Sequence, residues 1–286
     1  MSMVFMGTPE FAAESLEMLI NTGGDVAAVL TRPDKPQGRG MRLAPPPVKV
    51  IAEANGIPVY QPETLRDDAV YEAVAAMRPE FIVVVAYGLF LPKRYLELPE
   101  IACVNVHGSL LPKYRGAAPI QRAVMNGETA TGVCTQHMVK EMDAGDVILS
   151  RAAPIGAADT FGDVHDRLKG LGAEVLRETL ALLRNGTAPR IPQDAAEATF
   201  APLITKADRE IDLTRPAREI YNLVRGLQPF PCATLNGLKI HAASLTECEG
   251  VRVACGDGES IFITELQAPG KRRMGAAEFL RGSGGL

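Results

Sequence analysis

The run Phe81-Ile-Val-Val-Val-Ala86 constrains the fold of this chain more than any other stretch. It has no polar position at which one side could meet water, so a strand here must be covered on both faces. A strand of that kind belongs in a mainly parallel sheet with helices on either side. The flanking patterns agree. Residues 3–7 (MVFMG) read as a strand ended by Gly7. Thr8 is placed to cap the following helix with Pro9 at its first position, and Phe11, Leu16, Leu19 and Ile20 give that helix its apolar stripe. Strands follow at 26–31 and 57–60, helices at 48–56 and 69–77, strands in ACVNVH and TGVCTQHMV, and a long helix over 160–184. The expected fold is α/β, with a Rossmann-like, mainly parallel sheet whose ligands gather at the carboxyl ends of its strands.

Periodicity is lost in NGTAPRIPQDAAEATFAP, which is rich in Pro, Ala and Gly. After it come a helical PAREIYNLVRGL and short strands joined by Asn-Gly and Asp-Gly turns. This predicts a first domain over residues 1–188, a linker over 189–206 and a small β-rich domain over 207–286.

Several classes are excluded or disfavoured. A net charge of −4 opposes nucleic-acid binding by the whole surface and leaves room for a local basic patch. Five scattered cysteines without a C-x-x-C pair fit neither a disulfide framework nor a zinc ribbon, and suit a reducing cytoplasm. Cys103 and Cys134 fall in apolar strands and read as small core residues. The start MSMVFMGTPEF lacks a charged region followed by a long apolar one, so no signal peptide is expected. The sequence holds no membrane-spanning run, no phosphate-binding glycine loop and no G-x-S-x-G elbow that would make Ser109 a nucleophile. Histidines 107, 137, 165 and 241 lack metal-ligand spacing.

The strand CVNVH carries an amide and an imidazole where apolar residues are expected. Asn105 and His107 are two apart and share a face. Together they suit a carbonyl oxygen that becomes negative, as in acyl transfer through a tetrahedral intermediate. Asp143, in the glycine-containing turn of EMDAGDVI, is the carboxylate best placed to orient the imidazole. The alternative is that Asn105 and His107 are satisfied polar residues at a sheet end and that Asp143 is a turn former. The segment PDKPQGRGMRLAPPP places Lys35, Arg39 and Arg42 among Pro and Gly. It reads either as a basic loop for phosphate contacts or as a solvated surface loop. GKRRMG (270–275) is a second, weaker basic spot.

NVHGSLLPKYRGAAPI with MDAGDVI some way downstream resembles the formyltetrahydrofolate-dependent formyltransferases. The stretches FMGTPEFAAESLEML, TRPDKPQGRGMRLAPPPVKVIAEANGIPVYQPETLR, VVVAYGLFLPK and PLITKADREIDL extend the likeness along the chain, to the branch that formylates methionyl-tRNA. The resemblance implies transfer of a formyl group from 10-formyltetrahydrofolate to the α-amine of methionine on initiator tRNA, for translation initiation, by a cytoplasmic monomer without a metal. It gives Asn105, His107 and Asp143 the catalytic places. Ser109, Leu110, Leu111 and Pro112, with Tyr87, Gly88 and Leu89, take the folate-contacting ones. It implies tRNA contacts at Lys35, Arg39, Arg42 and Lys206, and an open barrel of the oligonucleotide-binding (OB-like) kind in the tail. Between Ser244 and Val251 the chain is shorter than the family's tail, and it ends FLRGSGGL without the family's terminal extension. The rival readings are a formyltransferase acting on an amino sugar nucleotide and a folate- or RNA-binding module without turnover.

Overall fold

The structure, a computed structural model, describes residues 2–37 and 41–283. The chain divides into two compact units: Met1–Arg115, Gly132–Ala153 and Asp166–Thr199 form the first, and Gly116–Thr131, Pro154–His165 and Phe200–Leu286 the second. Its elements up to the long helix are β1 (Ser2–Gly7), α1 (Glu10–Asn21), β2 (Asp25–Leu30), β3 (Lys35–Gln37), β4 (Arg42–Ala44), α2 (Pro47–Ala54), β5 (Val59–Tyr60) and α3 (Asp68–Ala76). They continue with β6 (Phe81–Val85), α4 (Lys93–Leu96), β7 (Ala102–His107), α5 (Pro119–Met125), β8 (Ala130–His137), β9 (Val147–Pro154) and α6 (Phe161–Arg184).

A seven-stranded sheet in the order β5-β2-β1-β6-β7-β8-β9 organises the first unit. The valine-rich β6 lies between β1 and β7, parallel to both, and every one of its residues is buried. Strand alternation explains why neither face can be polar. Val4, Met6, Ile82 and Val84 pack on one side with Leu65, Val74, Tyr87 and Tyr95. Met3, Phe5, Phe81, Val83 and Val85 occupy the alternate positions and are equally buried. Each such side chain contributes about 1.5–3 kcal/mol of burial. The pairing turns antiparallel at β7 and β8, so the sheet is mixed, with its parallel part at β5, β2, β1, β6 and β7.

The chain builds β1, β2 and β5 outward and then returns to place β6 on the other side of β1. A crevice forms at such a reversal, outside the carboxyl ends of the strands. Thr8 bridges it, donating its hydroxyl to the Tyr87 carbonyl at 3.0 Å. It therefore does not cap α1, contrary to the expectation from sequence. That helix begins one residue later, Pro9 holds the N-cap position, and the Pro9 carbonyl accepts from Ala12 and Ala13.

The basic segment 33–47 also differs from the aperiodic loop expected of it. β3 and β4 pair into a small antiparallel ribbon, Lys35 opposite Ala44. Its root is clamped by Lys49, whose ammonium lies 3.0 Å from Asp34 and 2.9 Å from Gln61. Hydrogen bonds from Gln61 and Lys49 hold the Asp34 carboxyl below its usual range. Pro and Gly mask a strand pattern this short, and the clamping residues lie outside the ribbon itself.

The second unit adds α7 (Ala217–Gly226), β10 (Ala233–Leu235), β11 (Leu238–Ser244), β12 (Val251–Ala254), β13 (Ser260–Gln267), β14 (Met274–Gly275) and α8 (Ala276–Ser283). Its sheet is antiparallel, in the order β10-β11-β13-β12, with β14 pairing to β13. The Asn236-Gly237 turn joins β10 and β11 as the sequence indicates, with Leu235 opposite Leu238. Ile220 and Val224 of α7 close the core over Ile240, Ile261, Ile263 and Leu266. Within this unit Arg122 of α5 meets Asp208 at 2.8 Å. No helix among the described residues is long and apolar enough to cross a membrane.

Candidate active site

Asn105 faces Gln136 across the antiparallel ladder, and His107 faces Cys134. Directly opposed residues share a face, so Asn105, His107 and Gln136 project to one side of the sheet. Asn105 is half-buried, and no hydrogen bond engages its side chain among the described residues. Its amide can donate to a developing oxyanion without first breaking an internal bond.

His107 is only 6% exposed. Its Nε2 lies 2.9 Å from the carbonyl oxygen of Tyr114. A carbonyl can only accept, so Nε2 carries a proton and donates it there. Tyr114 presents that oxygen from a left-handed backbone (φ 60°), and its own N–H donates to Oγ1 of Thr199 at 2.9 Å. On the other side of the ring, Nδ1 stands 3.7 Å from Oδ2 of Asp143. That is an ion-pair separation, longer than a direct hydrogen bond. The bond that fixes the ring is thus made to Tyr114, and Asp143 faces the other ring nitrogen.

Asp143 is itself held from two directions. Nε2 of Gln136 donates to its Oδ1 at 3.0 Å. Nε2 of Gln193 donates to its backbone carbonyl at 2.8 Å and to that of Gly145 at 2.7 Å. The Gln193 oxygen accepts from Arg115 at 2.8 and 3.1 Å. Gly145 allows the turn to close, since a Cβ there would collide with the His137 carbonyl. Left-handed backbone at non-glycine residues recurs around the site, at Ala86 (φ 45°), Tyr114 and Asp143 (φ 50°). Strain of this kind costs about 1–3 kcal/mol per residue and tends to collect where geometry serves chemistry.

The folate-contacting residues implied by resemblance lie in two loops of the same unit. Ser109 is buried and closes its turn by donating to the Lys113 carbonyl at 2.6 Å. Leu110, Leu111 and Pro112 follow, half-buried. Tyr87 is buried with its ionisation pushed up by desolvation, Gly88 is exposed and Leu89 is half-buried. Lys35 and Arg42 are exposed on the ribbon, Arg39 lies outside the described residues, and Lys206 is exposed in the second unit. Burial pushes the Cys103 and Cys134 thiols up to about 12, as suits core residues. No cluster of three or more His, Cys, Asp or Glu among the described residues could hold a metal.

Four residues at this site escaped the sequence reading: Tyr114, Arg115, Gln136 and Gln193. Gln136 carried a usable signal, an amide inside an apolar strand of the same kind as Asn105. Tyr114 acts through its backbone, and Gln193 stands in a stretch without periodicity.

Residues 1–180 match the formyl transferase family, and residues 203–249 and 243–284 match the formyl transferase C-terminal domain. The methionyl-tRNA formyltransferase of Moorella thermoacetica is 47% identical over 300 residues, covering 99% of this chain and 96% of its own length. That of Geobacter metallireducens is 47% identical over 298 residues, with the same coverage of 99% and 96%. Among solved structures, a sugar 3N-formyl transferase, WlaRD, determined in the presence of dTDP and 5-N-formyl-THF, superposes with a TM-score of 0.71 at 18% identity. That match covers 95% of this chain and 99% of the other, and at such low identity it speaks to the fold. The HypX protein of Aquifex aeolicus in complex with tetrahydrofolic acid matches with a TM-score of 0.65 at 17% identity, over 97% of this chain and 46% of its own. The chain belongs to the formyl transferase family, in the branch of the methionyl-tRNA formyltransferases.

Proposed function

We propose that this chain transfers the formyl group of 10-formyltetrahydrofolate to the α-amine of methionine carried by initiator tRNA. The observation that carries the reading is identity of 47% over 99% of the chain with enzymes of that name. The arrangement of Asn105, His107 and Asp143 suits the chemistry. Methionine's amine must be neutral to attack, and α-amines titrate near pH 8, so no strong base is needed. As the new C–N bond forms, the formyl oxygen gains charge and the Asn105 amide donates to it. His107 is pinned through Nε2 and exchanges a proton at Nδ1, beside the Asp143 carboxylate. The proton lost by the amine reaches the departing N10 as its bond to the formyl carbon breaks. No covalent enzyme intermediate is required.

Ser109, Leu110, Leu111 and Pro112, with Tyr87, Gly88 and Leu89, are assigned to the folate. Lys35, Arg39, Arg42 and Lys206 are assigned to tRNA. We assign a catalytic domain to 1–188, a connecting segment to 189–206 and an OB-like tRNA-contacting domain to 207–286. Two separate family matches, over 1–180 and from 203 on, support a catalytic and a C-terminal part. The test supplies purified protein and 10-formyltetrahydrofolate with either methionyl-tRNA or an amino sugar nucleotide. Formylation of methionyl-tRNA alone is expected. Turnover only on the sugar, or on neither acceptor, overturns the reading.

A further inference from the structure

The catalytic aspartate proposed above stands in a turn, in a left-handed backbone that no regular element enforces. Something else must hold it. Gln136 and Gln193 do so at different atoms. Gln136 is 2% exposed, inside β8, and its amide nitrogen binds Oδ1. A carboxylate can only accept, so this bond also fixes which way the amide is turned. It leaves the Gln136 oxygen buried and without a hydrogen-bond partner among the described residues. Such an orphaned acceptor is costly, and the residue is not there to satisfy a neighbouring donor of the core. Gln193 grips the backbone of the turn, bridging the carbonyls of Asp143 and Gly145 with one NH2 group. Buried Arg115 holds the other end of that amide with two N–H bonds.

We propose that Gln136 and Gln193 are positioning residues for the reaction. Gln136 orients the Asp143 carboxylate by occupying Oδ1 so that Oδ2 faces His107. Gln193, loaded by Arg115, sets the height of the turn that carries it. A chain of interactions Arg115–Gln193–Asp143–His107 results, in which the last member is the imidazole that exchanges protons. The segment around Gln193, aperiodic in sequence, thereby becomes part of the catalytic apparatus. The inference rests on the role assigned to Asp143.

Two substitutions isolate these interactions. Gln136→Met keeps length and burial but removes the donor to Oδ1. Gln193→Glu keeps, and strengthens, the bond to Arg115, while replacing the donor to both carbonyls by an acceptor. Each is compared with wild type and with Asp143→Asn, alone and combined, in the formyl-transfer assay and in thermal melts of the full chain. Each glutamine substitution should lower kcat about tenfold or more, with the KM for the folate donor within about twofold. Neither should lower kcat further in the Asp143→Asn background, because a residue acting through a carboxylate has nothing left to orient. A structural role would instead lower the melting temperature and reduce the active fraction by the same factor in both backgrounds. If Gln193→Glu does not fold, Gln136→Met decides the question together with Arg115→Lys, which retains the charge but not the two-pronged grip. Wild-type kcat in these variants, or equal reductions with and without the Asp143 carboxylate, overturns the inference while leaving the catalytic reading intact. Full turnover in Asp143→Asn overturns both.

Discussion

Nε2 of His107 lies 2.9 Å from the carbonyl oxygen of Tyr114, seven positions further along the chain. This hydrogen bond decides which ring nitrogen is available, since a nitrogen that donates to a carbonyl keeps its proton. In proton–nitrogen correlation spectra the neutral His107 ring is expected as the Nε2–H tautomer. Observation of the Nδ1–H tautomer would show that the Tyr114 carbonyl does not hold the ring in solution.

If His107 and Asp143 carry the roles proposed for them, they should behave as a unit. His107→Ala and Asp143→Asn are each expected to lower kcat by about 10²–10⁴, the range of general acid–base contributions. The double variant should be little worse than either. Folate affinity, followed by equilibrium titration, should stay within a few-fold. Independent, multiplying effects would mean that the 3.7 Å approach of Nδ1 to Oδ2 does not serve the reaction.

Leu110 packs over Gly132 of β8, where a Cβ would strike both the Leu110 side chain and the Arg151 carbonyl. Gly132→Ala should therefore cost about 1–3 kcal/mol in denaturant unfolding, as overpacking does. By displacing the Leu110–Pro112 turn it should also raise the KM for the folate donor more than it lowers kcat. Unchanged donor KM in a destabilised variant would remove this turn from the folate site.

Lys35 and Arg42 stand exposed on the ribbon that leaves β2. If they meet tRNA phosphates, the Lys35→Ala/Arg42→Ala variant should raise the KM for methionyl-tRNA and leave folate KM unchanged. The log–log dependence of tRNA affinity on salt should flatten by about one unit for each phosphate left without its cation, by analogy with DNA. Parallel salt slopes with unchanged KM would mean that the ribbon does not touch tRNA.

Stability should report the Arg122–Asp208 pair of the second unit. The Arg122 guanidinium and Thr205 hold the Asp208 carboxyl well below the usual carboxylate range. A depressed folded-state value contributes stability that is complete above the unfolded-state value, about 3.9, and is lost as pH falls toward the folded one. Asp208→Asn should cost about 1–2 kcal/mol at neutral pH. The deficit should shrink as pH falls from about 4 toward 2. A deficit constant across that range in pH-dependent melts would assign the destabilisation to packing rather than charge.

Where the reasoning from sequence held and where it failed follows from the range of each interaction. β6 was readable because five consecutive buried positions impose one composition. The Asn236-Gly237 turn was readable because its conformation is decided by the two residues in it. Asn105 and His107 stood out as polar residues in a strand otherwise buried. Thr8 and the ribbon at 35–44 misled because their patterns fit two structures locally. Hydrogen bonds made with Tyr87, Lys49 and Gln61 go with the one the chain adopts. What the sequence by itself determined is the alternating α/β order, the antiparallel second sheet and the polar pair at the end of β7, all consequences of side-chain period and turn chemistry. Only the tertiary structure decided that a backbone carbonyl pins the imidazole and that Gln193, 50 residues beyond Asp143, holds its turn. Hydrogen bonds of that kind depend on where distant backbone passes in space, and no local pattern records it.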